Sequence, residues 1–113
     1  SGVLTGGSAT PQTYQAVFLT NDQVYFGKLT QRDSQYPVLR DIYYLQQTQL
    51  QPKEQNAPPT PNLRLIKLGD ELHGPKDEMW INRDQIIFFE DLRLDSEVTK
   101  AIQQDKASRQ ATP

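Results

Sequence analysis

The segment Gly69–Gln85, "GDELHGPKDEMWINRDQ", concentrates the residue types of this chain that could do chemistry. It holds the only histidine, the only methionine and the only tryptophan, among several acids. Glu71, His73 and Asp77 offer the carboxylate and imidazole groups that bind metal ions. A hydrolytic metal site, however, typically needs about three protein ligands at an established spacing, and this segment matches no such signature. Metal binding centred on His73 is therefore a minor hypothesis.

Turn chemistry explains the same segment without any ligand. Gly74 can adopt a positive φ and Pro75 fixes its own φ, so the pair predicts a sharp reversal. Asn82-Arg83-Asp84 predicts a second tight reversal. Between them, Met79–Ile81 predicts a short strand, with Trp80 resting partly on the core. This structural interpretation is the favoured one.

A third hypothesis makes the segment part of a recognition surface, because loops on a rigid scaffold often carry binding residues. Tyrosine, tryptophan and arginine are enriched at binding hot spots. The candidate binding residues are His73, Trp80, Asn82, Arg83, Tyr43 and Tyr44.

The composition argues against catalysis. The absence of cysteine excludes disulfides, thiolate nucleophiles and thiolate zinc sites. No serine lies in a nucleophile-elbow context, and "LTGGSAT" lacks the lysine of a phosphate-binding loop. We therefore expect a protein that is not an enzyme and that has no metal or cofactor.

The first elements that must position these residues are β-strands. Apolar alternation from Tyr14 to Leu29, interrupted by Asn21-Asp22, predicts a β-hairpin. Gly27 within the second strand predicts a bulge or a bend. "VLRDIYYLQ" (38–46) predicts a third strand, which completes a meander.

The second half of the chain alternates between polar and apolar segments. The Gln/Pro-rich residues 46–62 predict a mobile loop, and "LRLIKLGDEL" (63–72) predicts a fourth strand. The apolar run Ile86–Phe89 predicts a strand covered on both faces. Asp95 or Ser96 is the expected N-cap of a helix whose apolar stripe is Leu94, Val98 and Ala101-Ile102.

These elements predict a mainly β fold: a small SH3-like or Sm-like half-open barrel of four to five antiparallel strands with a C-terminal helix. Residues 1–13 are expected to form a flexible leader, because they are rich in Gly, Ser and Thr. Residues 14–104 form the single domain, with the Gln/Pro-rich loop at 46–62. Residues 105–113 are expected to be a disordered polar tail.

Two motifs carry a resemblance to known proteins. "VYFGKL" (24–29) looks like the bent second strand of many SH3-like barrels. The set "VYFGKL … LIKLG.ELHGP.D.M.INR..IIFFE.L" is similar to small uncharacterised bacterial proteins that follow an N-terminal membrane anchor. The resemblance implies a location on the extracytoplasmic side of the cell membrane, with contact to the membrane only through a removed anchor. The cytoplasm is the alternative location.

Charge and size narrow the expected function. A net charge of −2 argues against nucleic-acid capture by bulk electrostatics. We therefore expect a non-catalytic protein–protein interaction or scaffolding module, whose partner is another protein and which is a monomer. An Sm-like oligomeric ring that binds RNA is the alternative, and a metal-binding domain centred on His73 is the second alternative.

Overall fold

The computed structural model describes residues 13–50 and 60–111, which form a mainly β structure with one C-terminal helix. The strands are β1 (Gln15–Leu19), β2 (Val24–Thr30), β3 (Val38–Leu50), β4 (Thr60–Lys67), β5 (Glu78–Trp80) and β6 (Ile86–Asp91). A 3₁₀ helix spans Arg83–Gln85, and helix α1 spans Glu97–Ala111. The predicted mainly β fold with a C-terminal helix is confirmed, although the open sheet has six strands rather than four to five.

All strand pairs are antiparallel, and the strand order is β4-β3-β2-β1-β6, with β5 paired to β3. The sheet does not close, because β4 and β6 lie at its two ends without pairing to each other. Each end strand therefore has one free edge within the described part of the chain. None of the described helices is long and apolar enough to cross a membrane.

The predicted first hairpin is confirmed in β1 and β2. Asp22 adopts a positive φ of 68° in the turn, and the side-chain carbonyl of Asn21 accepts a bond from the Gln23 N–H at 3.1 Å. Asn and Asp suit this turn because they tolerate the left-handed region and bond their own backbone.

Apolar side chains pack on both faces of the sheet. One face carries the core cluster Val17, Leu29, Leu39, Ile42, Leu68 and Ile81. The opposite face carries the cluster Tyr14, Ala16, Phe26, Tyr43 and Ile102. Because Ile102 belongs to α1, the helix covers this second face, and β1 is buried on both sides.

Gly27 marks a bend, as the sequence predicts. Phe26 pairs with Tyr43 but Lys28 pairs with Arg40, so β3 has one extra residue opposite Gly27. Asp41, in this bulge, has a φ of 58°. The bend also changes the partner of β3, which pairs with β5 before the bulge and with β4 after it.

The predicted Gln/Pro-rich loop is shorter than expected. Residues 46–50 of β3 pair with residues 60–64 of β4, so both strands extend into the polar segment. Antiparallel pairing satisfies the hydrogen bonds of the backbone N–H and C=O groups, whether the side chains are polar or apolar. The polar composition of this segment therefore did not indicate that the strands extend into it. Residues 51–59, the rest of the loop, lie outside the described residues, as does the predicted leader up to residue 12.

The prediction of a disordered tail from residue 105 is wrong for the described residues, since α1 continues to Ala111. The helix begins as predicted after Ser96, whose hydroxyl accepts a bond from the Thr99 N–H at 3.1 Å. Its last turns are held by Asp105, which accepts a bond from the Tyr43 hydroxyl at 2.7 Å, and by Lys106, which pairs with Asp41 at 2.7 Å. These contacts are long-range, so the polar sequence of the tail gave no sign of them.

Candidate interaction surface

Tyr43, a candidate binding residue, is only 1 % exposed. It lies beneath α1, and its hydroxyl donates to Asp105. Burial, followed by this bond, raises the pKa of the Tyr43 hydroxyl far above its ordinary value. Tyr43 therefore fastens the helix to the sheet and does not contribute to a surface.

Tyr44 and His73 lie on a different side of the sheet and share a groove of about 420 Å³ with Glu71. The Tyr44 hydroxyl donates to the Glu71 carboxylate, which also accepts a bond from the Gly69 N–H at 2.9 Å. The bond to Glu71 raises the pKa of Tyr44 to about 12 and lowers that of Glu71. Glu71 thus closes a turn. In the described ranges, no group of three or more His, Cys, Asp or Glu side chains could hold a metal ion.

Trp80 does not rest on the core as expected, because its side chain is 69 % exposed. Strand alternation places its neighbour Met79 against the core instead. Asn82 caps the 3₁₀ helix, accepting bonds from the Asp84 N–H at 3.0 Å and from the Gln35 side chain at 2.9 Å. Arg83 donates to the carbonyls of Arg32 and Ser34 and so anchors the loop between β2 and β3.

The acids of Gly69–Gln85 also support the fold. Asp77 accepts a bond from the Ile42 N–H at 2.8 Å, next to the bulge, and pairs with Lys67 at 2.7 Å. Gly74 has a φ of 63°, which confirms the predicted reversal. The six candidate binding residues therefore form no single patch. Tyr43 is buried, Asn82 caps a helix and Arg83 anchors a loop, whereas the other three lie in two separate grooves: Tyr44 and His73 in one, Trp80 in another.

A charged cluster lies between the bulge and the helix. The Asp41 carboxylate accepts a bond from the Tyr14 hydroxyl and lies 2.7 Å from the ammonium of Lys106 and 3.6 Å from that of Lys28. Burial opposes ionisation of Asp41, but the bonds from Lys106 and Tyr14 outweigh it and lower its pKa. For Asp105, burial again opposes ionisation and the bond from Arg109 lowers the pKa.

Asp41→Asn should lower the free energy of unfolding by about 1–3 kcal/mol at neutral pH, the range for hydrogen bonds to charged groups. Asparagine tolerates the left-handed backbone, so the change removes mainly the charge. The pKa of Asp41 is lower in the folded protein than in the unfolded chain, where it is about 4. The stability that the Asp41 carboxylate contributes is therefore complete at a pH above the unfolded-state pKa, and it is lost as the pH falls through the folded-state pKa. The difference from the wild type should therefore shrink below that pH.

Urea unfolding at neutral pH and near pH 3 measures this difference. Asp95→Asn is the matched control, because the described residues pair Asp95 only with the exposed Arg93. This substitution should change stability by less than about 0.5 kcal/mol. An equal loss for Asp41→Asn at both pH values would show that the charge of Asp41 is not the cause.

The most exposed apolar element is β6, which the sequence predicted to be covered on both faces. Ile87, Phe88 and Phe89 are 58 %, 47 % and 36 % exposed. The prediction is wrong because β6 is an end strand of the sheet, paired only to β1 among the described strands. A continuous apolar run is typical of a central strand, and nothing local distinguishes the two cases.

The outer edge of β6 has no strand paired to it within residues 13–50 and 60–111. The Leu92 N–H donates to the Tyr14 carbonyl at 2.8 Å, and the same register pairs Glu90 with Ala16. In an antiparallel pair, alternate residues direct both backbone groups toward the partner. Phe89 and Asp91 therefore direct their N–H and C=O groups away from β1, toward the free edge.

Aromatic side chains border this edge on both faces. Phe88 packs on Phe18 with ring centroids 4.4 Å apart, and the guanidinium of Arg32 lies 5.1 Å from the centroid of Phe89. A groove of about 350 Å³ runs along β6 and is lined by Arg32, Pro37, Arg83 and Ile86–Phe89. An extended chain added to this edge would bury apolar surface on both faces while pairing its backbone.

Comparison of the chain with protein-family models, characterised proteins and solved structures found no match. The resemblance to SH3-like or Sm-like barrels behind a membrane anchor therefore stays a prediction.

Proposed function

We propose that this protein is a non-catalytic protein–protein interaction module that binds an extended polypeptide segment along the free edge of β6. The single observation that carries the proposal is the coincidence, on one strand, of exposed apolar side chains and outward-facing backbone groups. Strand addition uses these two features: the backbone supplies affinity, and the alternate side chains supply specificity.

The opposite end of the sheet supports the choice of β6. The sequence of β4 contains Pro61, Arg64 and Lys67, and proline and charged residues are the means by which proteins protect an edge from pairing. In β6 the charged residues Glu90 and Asp91 lie at one end, and the remaining stretch Ile86–Phe89 contains neither proline nor charge. Because an apolar stretch without such residues is uncommon on an edge strand, Ile86–Phe89 is the better candidate for a binding surface.

The Sm-like RNA-binding alternative gains less support. Glu90 and Asp91 lie at one end of β6, where negative charge would repel a phosphate backbone. The extracytoplasmic location remains part of the proposal and rests on the sequence resemblance alone.

Ile87→Lys tests the proposed edge, because a lysine on an edge strand opposes pairing. Peptides selected from a random display library on the wild-type chain should bind the Ile87→Lys variant at least about tenfold more weakly, a change of about 1.4 kcal/mol. Leu72→Lys is the matched control: Leu72 is fully exposed in a turn outside β6, so affinity should not change. Failure to select any peptide, or equal binding to both variants, would contradict the proposal.

A further inference from the structure

Trp80, the only tryptophan of the chain, is exposed and lines two grooves. The first groove, of about 280 Å³, lies between the β1–β2 turn and the 3₁₀ helix, and Tyr25 also lines it. The second groove, of about 380 Å³, lies beside the β2–β3 loop and is lined by the half-exposed Tyr36. Because the two grooves meet at Trp80, one elongated ligand can contact aromatic rings in both.

The two grooves offer no unpaired charge to a ligand. The described residues that line the first groove include no Asp, Glu, Lys, Arg or His, although 23 % of the whole chain is charged. Among the described residues that line the second groove, only Arg40 is charged, and its guanidinium pairs with Glu78 at 2.6 Å. A charged ligand would lose water here without meeting an opposite charge, so the grooves favour a neutral ligand.

Hydrogen bonds within the protein orient three amide side chains that line the first groove. The Oδ1 of Asn82 and the Oε1 of Gln23 each accept two bonds, one of them from the Tyr25 hydroxyl to Gln23 at 3.2 Å. The Oε1 of Gln85 accepts a bond from the Thr20 hydroxyl at 2.6 Å. The NH₂ groups of the three amides donate no bond to the described residues, so they are available as donors to a ligand.

The remaining polar atoms of this groove select the class of neutral ligand. The Thr20 hydroxyl and the Oε1 of Gln85 keep lone pairs, so the groove offers acceptors as well as donors. Hydroxyl groups use both, and a sugar ring combines a rim of hydroxyls with apolar C–H faces that pack on aromatic rings. A proline-rich peptide also packs on aromatic rings, but proline has no N–H and would leave the acceptors unpaired.

We propose that the two grooves that meet at Trp80 bind a neutral oligosaccharide. Trp80 covers the C–H face of one sugar unit, and the amides of Gln23, Asn82 and Gln85 donate to its hydroxyls. Because these amides are already held by the protein, less side-chain entropy is lost on binding. The site goes beyond the proposed function, since it shares no lining residue with the groove along β6.

Titration of tryptophan fluorescence in the full 113-residue chain tests the proposal, because Trp80 is the only tryptophan. The neutral probes are cellohexaose, maltohexaose, mannohexaose and chitohexaose, and hexagalacturonic acid and a proline decamer are the comparison ligands. At least one neutral oligosaccharide should change the Trp80 emission to saturation, and hexagalacturonic acid should not. No change with any neutral probe would overturn the proposal, and a change with the proline decamer alone would replace it by recognition of a proline-rich segment.

Trp80→Ala should weaken binding of the oligosaccharide at least about tenfold, as for an aromatic residue at the centre of a binding site. Calorimetry measures this affinity, because the variant has no tryptophan. Leu72→Ala is the matched control, since Leu72 is also exposed and lines neither groove, and its affinity should equal that of the wild type. Equal affinities for Trp80→Ala and Leu72→Ala would overturn the proposal.

Gln23→Glu and Gln85→Glu test the amide donors separately from the fold. Each substitution removes the NH₂ group but keeps an oxygen that accepts the bonds within the protein, and each should weaken binding about threefold to tenfold. Gln103→Glu makes the same change on the exposed side of α1 and should leave the affinity unchanged. Thermal unfolding verifies that each variant is folded, and unchanged affinity in both groove variants would overturn the assigned role of the amides.

The outcome for the oligosaccharide can be separated from the outcome for the proposed function. Ile87→Lys, which should weaken peptide binding at β6, should leave oligosaccharide binding unchanged. Trp80→Ala should in turn leave peptide binding at β6 unchanged. Loss of both activities in either variant would contradict the assignment of two separate sites.

Discussion

Replacing Gly27 with valine should lower the free energy of unfolding by about 3 kcal/mol, at the upper end for overpacking in a core. A β-carbon on Gly27 would lie 2.6 Å from the carbonyl oxygen of Arg40 and 2.9 Å from the Cγ of Leu39. The oxygen belongs to the backbone of the bulged strand, which is held by pairing on both sides of the bend. The backbone therefore cannot move away without breaking the bulge.

Gly27→Ala is a smaller version of the Gly27→Val substitution, and Gly74→Ala is its matched control. Gly74 has a φ of 63° and open space around it, so alanine there should cost only about 1–2 kcal/mol of backbone strain. Urea unfolding of both variants compares the stability lost to a steric clash at Gly27 with the stability lost to backbone strain at Gly74. A smaller loss at Gly27 than at Gly74 would show that β2 and β3 can separate at the bend.

Ile102→Ala should lower the free energy of unfolding by about 2–4 kcal/mol, as for other large-to-small changes in a core. Ile102 is fully buried and is the residue of α1 that joins the core cluster of the sheet. Its truncation leaves a cavity beside Tyr43 and Phe26, which the paired strands cannot fill by collapsing.

The measurement is thermal or urea unfolding, with Leu72→Ala as the control. Leu72 is fully exposed, so its truncation should change stability by less than about 0.5 kcal/mol. A loss below about 1 kcal/mol for Ile102→Ala would indicate that α1 is not packed stably on the sheet. Because Asp105 and Lys106 lie in the next turn, their contacts with Tyr43 and Asp41 should weaken together with the packing.

The proposed binding edge and the stability of the fold depend on different parts of the sheet. Gly27 lies at the bend between β2 and β3, and Asp41 and Ile102 lie where the sheet meets α1, whereas β6 presents its outer edge on the far side of β1. Ile87→Lys should therefore change peptide binding with little change in the fold.

The sequence by itself determined the features that depend on neighbours in the chain. The Asn21-Asp22 turn, the reversal at Gly74 and the Ser96 cap were all predicted, because each follows from the backbone preferences of one or two residues. Gly27 was correctly assigned to an irregular strand for the same reason. The spacing of Val98 and Ile102 likewise identified the helix face that packs on the sheet.

Only the tertiary structure decided which of these elements are covered. Tyr43 and Tyr44 are adjacent in sequence, yet one is buried under α1 and the other lines an open groove. The apolar run Ile86–Phe89 has the composition of a central strand but lies at an edge, and the polar residues Asp105 and Lys106 are ordered by distant partners. Burial and exposure depend on the order of the strands, which is set by long-range pairing, and no local pattern of residues encodes it.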